Sequence, residues 1–273
     1  MKGERLGARG LANLRANLSQ RDLAIVGDVT RLRLMSTRQI EALHFDIERH
    51  ASALTAARTC RRVLDRLVRD RLLVRLQRRT VGGVWAGSTS FIYALGPIGH
   101  RVGSKTASRR RFREPTATFV AHTLAIADLV VVLREADRAK HLELIGLETE
   151  PECWRPLGNH GSNVLRPDLN VTLGIGEYEY HAFVEVDLGT EGLPRLLVKC
   201  QTYLAYYDSN AEQATHGIFP RVVWLLNDEQ RSKRLQDDVH RRLTHPELFT
   251  VATLDAALSA LSEGTVTRTG APS

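Results

Sequence analysis

Arg166-Pro167-Asp168-Leu169-Asn170-Val171-Thr172-Leu173 and, past a glycine-containing turn, Tyr180-His181-Ala182-Phe183-Val184-Glu185-Val186-Asp187-Leu188 are the stretches whose reading decides the fold. Both are short apolar runs with the character of strands. Residues two apart on a strand face the same side, so Glu185 and Asp187 project together. Carboxylates at the ends of otherwise apolar strands are costly unless a cation or hydrogen bonds hold them. Oxygen donors of this kind suit Mg²⁺ or Mn²⁺, the usual ions of phosphodiester chemistry. Asp168, Glu185 and Asp187 are therefore the candidate metal ligands.

Working outward, residues 119–133 form a strongly apolar helical pattern, and residues 142–150 a strand that carries a further acid, Glu148. Strands follow over 165–174 and 178–188, then a helix over about 192–207 with Lys199, Tyr203 and Tyr206, and a strand over 221–226. A charged helix over 229–242 and a strand over 248–253 complete the order. Helix, three strands, helix, strand implies an α/β core with a mixed sheet covered by helices. His122 in the first helix reads as a core or capping group, since a lone histidine on an apolar helix is more often that than a catalyst.

The Pro-Asp dipeptide, followed one strand later by an acid, resembles the PD-(D/E)xK nuclease superfamily. Asp168 and Glu185 match that pattern, while Asp187 stands where its lysine would be. Some members carry the lysine in the following helix, where Lys199 lies. The resemblance implies catalytic roles for Asp168, Glu185, Asp187, Lys199 and Glu148, with Mg²⁺ or Mn²⁺ as cofactor.

The N-terminal part has a different character. Of 273 residues with net charge +7, residues 1–115 hold 24 Lys and Arg against 9 Asp and Glu, and residues 116–273 hold 14 against 22. Such a split suggests two modules, the first facing a polyanion. Residues 20–35 suit a helix, and Ser36 and Thr37 are good caps for a second, short one ending near Phe45. Over residues 52–70, Ala53, Ala56, Ala57, Cys60, Val63, Leu64, Leu67 and Val68 fall on one helical arc. Arg58, Arg61, Arg62, Arg66 and Arg69 fall on the other, with Asp65 among them. That arginine face has the form of a helix that enters a major groove. Strands over 72–76 and 90–95 flank a glycine-containing loop in the manner of a wing, with Arg78 and Arg79 placed to follow phosphates.

The three cysteines, Cys60, Cys153 and Cys200, have neither metal-ligand nor disulfide spacing and read as buried thiols of a reducing compartment. No signal peptide and no run of membrane-spanning length is expected, so the chain is read as cytoplasmic, with no membrane partner. The organisation read from the sequence is a basic arm (1–18), a winged helix-turn-helix (19–103), a basic linker (104–115), a restriction-endonuclease-like PD-(D/E)xK core (116–258) and a disordered tail (259–273), α+β in class.

The winged helix, Ala121-His122-Thr123-Leu124, Arg166-Pro167-Asp168, Val184-Glu185-Val186-Asp187-Leu188-Gly189-Thr190-Glu191, Lys199 and Tyr203 together resemble the replication-relaxation family over roughly residues 20–255. That resemblance implies a double-stranded-DNA-binding protein of a plasmid or integrative element, acting in replication or mobilisation beside a relaxase or replication protein. It leaves open a metal-dependent endonuclease or nickase, an inactive accessory factor on a nuclease fold, a repressor of a mobile element, and a homodimer. A tyrosine relaxase is disfavoured, because no His-x-His metal site accompanies Tyr203, Tyr206 and Tyr207.

Overall fold

The computed structural model describes residues 7–45, 52–80, 90–103, 114–158 and 163–268. The chain divides into two compact units, Met1–Val131 and Val132–Ser273. The structure is mixed α+β with a mixed sheet.

In the first unit, α1 (Ala8–Ala16) occupies part of the expected arm. Helix α2 (Gln20–Leu32) starts at a capping box, in which Ser19 Oγ accepts from Asp22 N and Asp22 Oδ2 accepts from Ser19 N. The helix was expected to reach Met35, but it stops at Leu32. Arg33 takes a positive φ of 65°, and β1 (Leu34–Ser36) then pairs antiparallel with β3 (Ser90–Leu95). The gain is the burial of Leu34 and Met35 in a sheet. Ser36 then caps α3 (Thr37–His44) through a second box with Gln39.

Helix α4 (Ala53–Arg69) buries Ala56, Cys60, Leu64 and Leu67, which is the apolar stripe read from the sequence. Strand β2 (Leu73–Thr80) completes a sheet of order β1-β3-β2. The chain leaves β3 by a close turn in which a Cβ on Gly96 would lie 2.3 Å from Arg71 O, and one on Gly99 2.0 Å from Leu72 O, so only glycine fits at either position. Helix α5 (Gly99–Gly103) follows.

The division between the two compact units falls inside α6 (Ala117–Arg138). Val120 and Leu124 pack with Leu34, Leu76, Ile92 and Ala94. Gln39 Nε2 donates to Leu124 O and to Asp128 Oδ1. Among the described residues α6 alone is long and apolar enough to cross a membrane, which corrects the expectation that no run approaches that length. Val120, Leu124, Ala127, Val130 and Leu133 are buried within the protein, as in a core helix.

The second unit is built on a sheet of order β10-β9-β8-β7-β4. Strands β4 (Glu143–Thr149), β7 (Leu169–Ile175) and β8 (Tyr178–Asp187) are antiparallel neighbours. Strands β9 (Arg221–Leu226) and β10 (Phe249–Thr253) continue in parallel from β8. A parallel neighbour requires a crossover, and α7 (Leu193–Asp208) with α8 (Ala211–His216) supplies it. Helix α9 (Glu229–Arg242) lies between β9 and β10.

Two features depart from expectation. Leu165 belongs not to β7 but to a small ribbon of β5 (Arg155–Leu157) and β6 (Asn163–Leu165). The tail read as disordered from 259 instead contributes the end of α10 (Ala257–Leu261), then β11 (Thr265–Arg268), which pairs with Tyr178–His181 of β8. Phe183 and the buried faces of α7 and α9 form the main core of this unit, with Leu196, Cys200, Tyr203, Trp224, Leu235 and Val239.

Candidate functional site

The alternation of β8 places Phe183, Glu185 and Asp187 on the face covered by α7. Asp168 stands just before β7 and is fixed by β8 itself. Its N–H donates to Val184 O (3.0 Å), and its Oδ2 accepts from Val186 N (2.8 Å), so it is bonded to β8 on either side of Glu185. The Cys153 thiol holds the same corner by donating to Pro167 O at 3.0 Å.

Glu185 is 1% exposed. Its Oε2 lies 2.5 Å from Lys199 Nζ, and its Oε1 accepts from the Tyr203 hydroxyl at 2.5 Å. Lys199 and Tyr203 are four apart on α7 and so share its inward face. Trp224, the register partner of Glu185 on β9, has its ring centroid 5.9 Å from Lys199 Nζ.

Burial pushes the Glu185 carboxyl up to about 7; the nearby Lys199 charge opposes this and that of Asp168 adds to it. Burial works against the Lys199 charge too, but Glu185 and Asp168 outweigh it and hold the ammonium above its ordinary value. The Tyr203 phenol is raised well above its ordinary value by burial and then by Glu185, so it remains a donor. The side chain of Lys199 is 34% exposed, and through it this buried cluster reaches solvent.

Asp168, Glu185 and Lys199 therefore come together. Asp187 shares the face but is engaged elsewhere: Arg231 of α9 donates to its Oδ2 through Nε (2.7 Å) and lies 2.6 Å away through Nη2, and also donates to Glu191 O. Glu148 accepts from Arg155 (2.9 Å) and Asn170 (3.0 Å), while Arg155 reaches the buried Glu212, which in turn accepts from Tyr206. Glu148 thus belongs to a second polar network. Among the described residues no group of three or more His, Cys, Asp or Glu side chains is placed to hold a metal ion.

Arg231, Arg155 and Cys153 hold these side chains in place, although no motif in the sequence marks them. The four-residue step from Lys199 to Tyr203 was the one signal available for Tyr203. The buried Cys60, Cys153 and Cys200 are free thiols, each pushed by burial up to about 12.

On α4, Arg58, Arg61, Arg62 and Arg69 are exposed. Arg66 differs, since its Nη2 pairs at 2.7 Å with the buried Asp22 of α2. The side chains of Arg78 and Arg79, the glycine loop over 81–89 and the basic stretch over 104–113 lie outside the described residues.

The sequence pattern that defines replication-relaxation proteins matches residues 27–222. The chain belongs to the replication-relaxation family. The segment shared with that family runs from within α2 to the start of β9, and so contains both the arginine face of α4 and the Asp168, Glu185 and Lys199 cluster. Arg231 lies beyond it. Neither a curated protein nor a solved structure matches the chain at a significant level.

Proposed function

We propose that this replication-relaxation protein binds double-stranded DNA of a plasmid or integrative element in the cytoplasm and acts there in replication or mobilisation. The observation that carries the reading is the outward face of α4, where Arg58, Arg62 and Arg69 stand exposed. The first unit supports it: the order α2, β1, α3, α4, then β2 and β3, with sheet order β1-β3-β2, is compatible with a winged helix in which α4 would serve as the recognition helix. Charge replacement on α4 tests this directly. Replacing Arg58, Arg62 and Arg69 together by Ala should weaken duplex binding and flatten its salt dependence. Binding that keeps its affinity and slope refutes the assignment.

The second unit supports a nuclease-type core. Helix α6, then β4, β7 and β8 antiparallel, α7, and β9 parallel to β8 is an order compatible with a PD-(D/E)xK core. Two carboxylates, Asp168 and Glu185, suit a Mg²⁺ or Mn²⁺ ion that takes its remaining ligands from water and phosphate. Asp187, committed to Arg231, does not suit the third ligand position. Such an ion would supply an activated water and charge neutralisation. In this chain Lys199 offers the phosphate its charge, and Tyr203 fixes the rotamer of Glu185.

A second reading, a DNA-binding accessory factor without chemistry that works beside a relaxase or replication protein, is favoured by one observation. Both oxygens of Glu185 are already engaged within the protein. Nicking of supercoiled plasmid with Mg²⁺ or Mn²⁺ separates the two. Nicking that is lost in Asp168→Ala, Glu185→Ala and Lys199→Ala marks the enzyme. Absence of nicking with duplex binding intact marks the accessory factor.

A further inference from the structure

Arg166 has no part in the chemistry described above. It is exposed, it stands two residues before Asp168, and its guanidinium carbon lies 4.7 Å from the centroid of the Trp154 ring. Many cations of the second unit are matched by acids: Arg155 by Glu148 and Glu212, Arg195 by Glu191, Lys199 by Glu185, Arg231 by Asp187, Arg241 and Arg242 by Asp238. Arg166 has no ion-pair partner among the described residues.

Its position is held from both sides. Arg155, the neighbour of Trp154, pairs in register with Leu165, the neighbour of Arg166. One residue further along, the Cys153 thiol bonds to Pro167 O. Stacking uses the flat face of a guanidinium and leaves its N–H edge free, which is the edge that grips a phosphate in bidentate fashion. A stacked arginine has also lost part of its rotamer freedom before any ligand arrives, so less entropy remains to be lost on binding.

Residues 116–273 carry a net negative charge, and Asp168 and Glu185 repel any phosphodiester that comes near them. Lys199 shares its charge with Glu185, so a DNA strand brought to this cluster needs a second cation beside it. We propose that Arg166, stacked on Trp154, is a phosphate-binding residue that holds the DNA backbone next to the Asp168, Glu185 and Lys199 cluster. This rests on the reading of that cluster as a nuclease-type site, and it does not depend on α4.

The test is the salt dependence of duplex binding by the full chain, read by fluorescence anisotropy with EDTA present, for wild type, Arg166→Ala, Arg166→Gln and Arg166→Lys. Loss of one phosphate contact should make the slope of log affinity against log salt shallower by about 0.9 in the Ala and Gln variants. Arg166→Lys should restore the slope while recovering only part of the affinity, because lysine keeps the charge but not the stacked fork. Thermal melting should leave all four proteins folded alike. If Ala destabilises the ribbon, the Gln variant, which keeps a long polar side chain, gives the reading. A slope unchanged in both Ala and Gln overturns the proposal, and so does an equal fall in the Lys variant. The Arg58, Arg62 and Arg69 variant measured alongside fails or holds independently, so loss of the α4 assignment and loss of this one are told apart.

Discussion

Replacing Glu185 by Gln tests the balance of forces in the buried cluster. Burial raises the Glu185 carboxyl from 4.5 to about 7 against the pull of Lys199 and Tyr203. A displacement of that size corresponds to about 3 kcal/mol. Because the folded protein holds the proton more tightly than the unfolded chain does, stability is greatest below about pH 4.5 as far as this group is concerned. It falls as pH rises toward 7, then levels off. The amide of the Glu185→Gln variant has no such titration. Urea unfolding of wild type and Glu185→Gln should be followed at a series of pH values and the difference taken, so that all other titrating groups cancel. Between pH 4.5 and 8 the wild type should lose about 3 kcal/mol relative to the variant. In the wild type Lys199 does not disturb this window, since its own raised pKa places any loss of stability in the alkaline range. A flat difference would refute the argument. A difference rising with pH would show that the ion pair with Lys199 outweighs burial.

Three further outcomes follow from the structure. Arg66→Ala should cost the first unit about 1–2 kcal/mol in urea unfolding, because it strips a charged partner from buried Asp22; the salt slope of the proposed duplex binding should stay at its wild-type value, and a shallower slope would return Arg66 to the proposed DNA face. A chain stopped after Glu263 should lose about 2–4 kcal/mol, at roughly 1 kcal/mol per ladder hydrogen bond lost with β11, whereas a disordered tail predicts no change. A thiol-reactive disulfide reagent should leave Cys60, Cys153 and Cys200 untouched in the native protein at neutral pH and titrate them in urea, since all three are buried and protonated; rapid native labelling would contradict the packing around them.

The parts of this fold that the sequence made legible are those governed by local period. The alternation over 178–188 placed Glu185 and Asp187 on one face, and the helical arc of α4 separated its buried stripe from its arginines. Lys199 was legible as a helix residue near the acids because α7 directly follows β8. The rest depended on distant partners. Leu34 and Met35 continue the helical pattern of α2, and only their pairing with β3 makes them a strand. Nothing in the spacing of the α4 arginines distinguishes Arg66, whose role is set by Asp22, 44 residues away. Asp187 matched a ligand pattern, yet Arg231, also 44 residues distant, claims it. The polar residues of β11 carry weak strand signals of their own and acquire structure from the strand they join.

One edge of β8 is shared between two partners: Ala182–Asp187 pair with β9, and Tyr178–His181 pair with β11. This arrangement implies an order of assembly. The turn between β7 and β8 closes a short loop, so that hairpin can form early. The β9 contact must wait for α7 and α8, and the β11 contact for a segment more than eighty residues downstream of His181. Long-range pairings slow folding and leave strand edges open in the interval. The sheet therefore has a late step at the end of β8 opposite to the one that carries Glu185, and the acidic cluster can be complete before the sheet is.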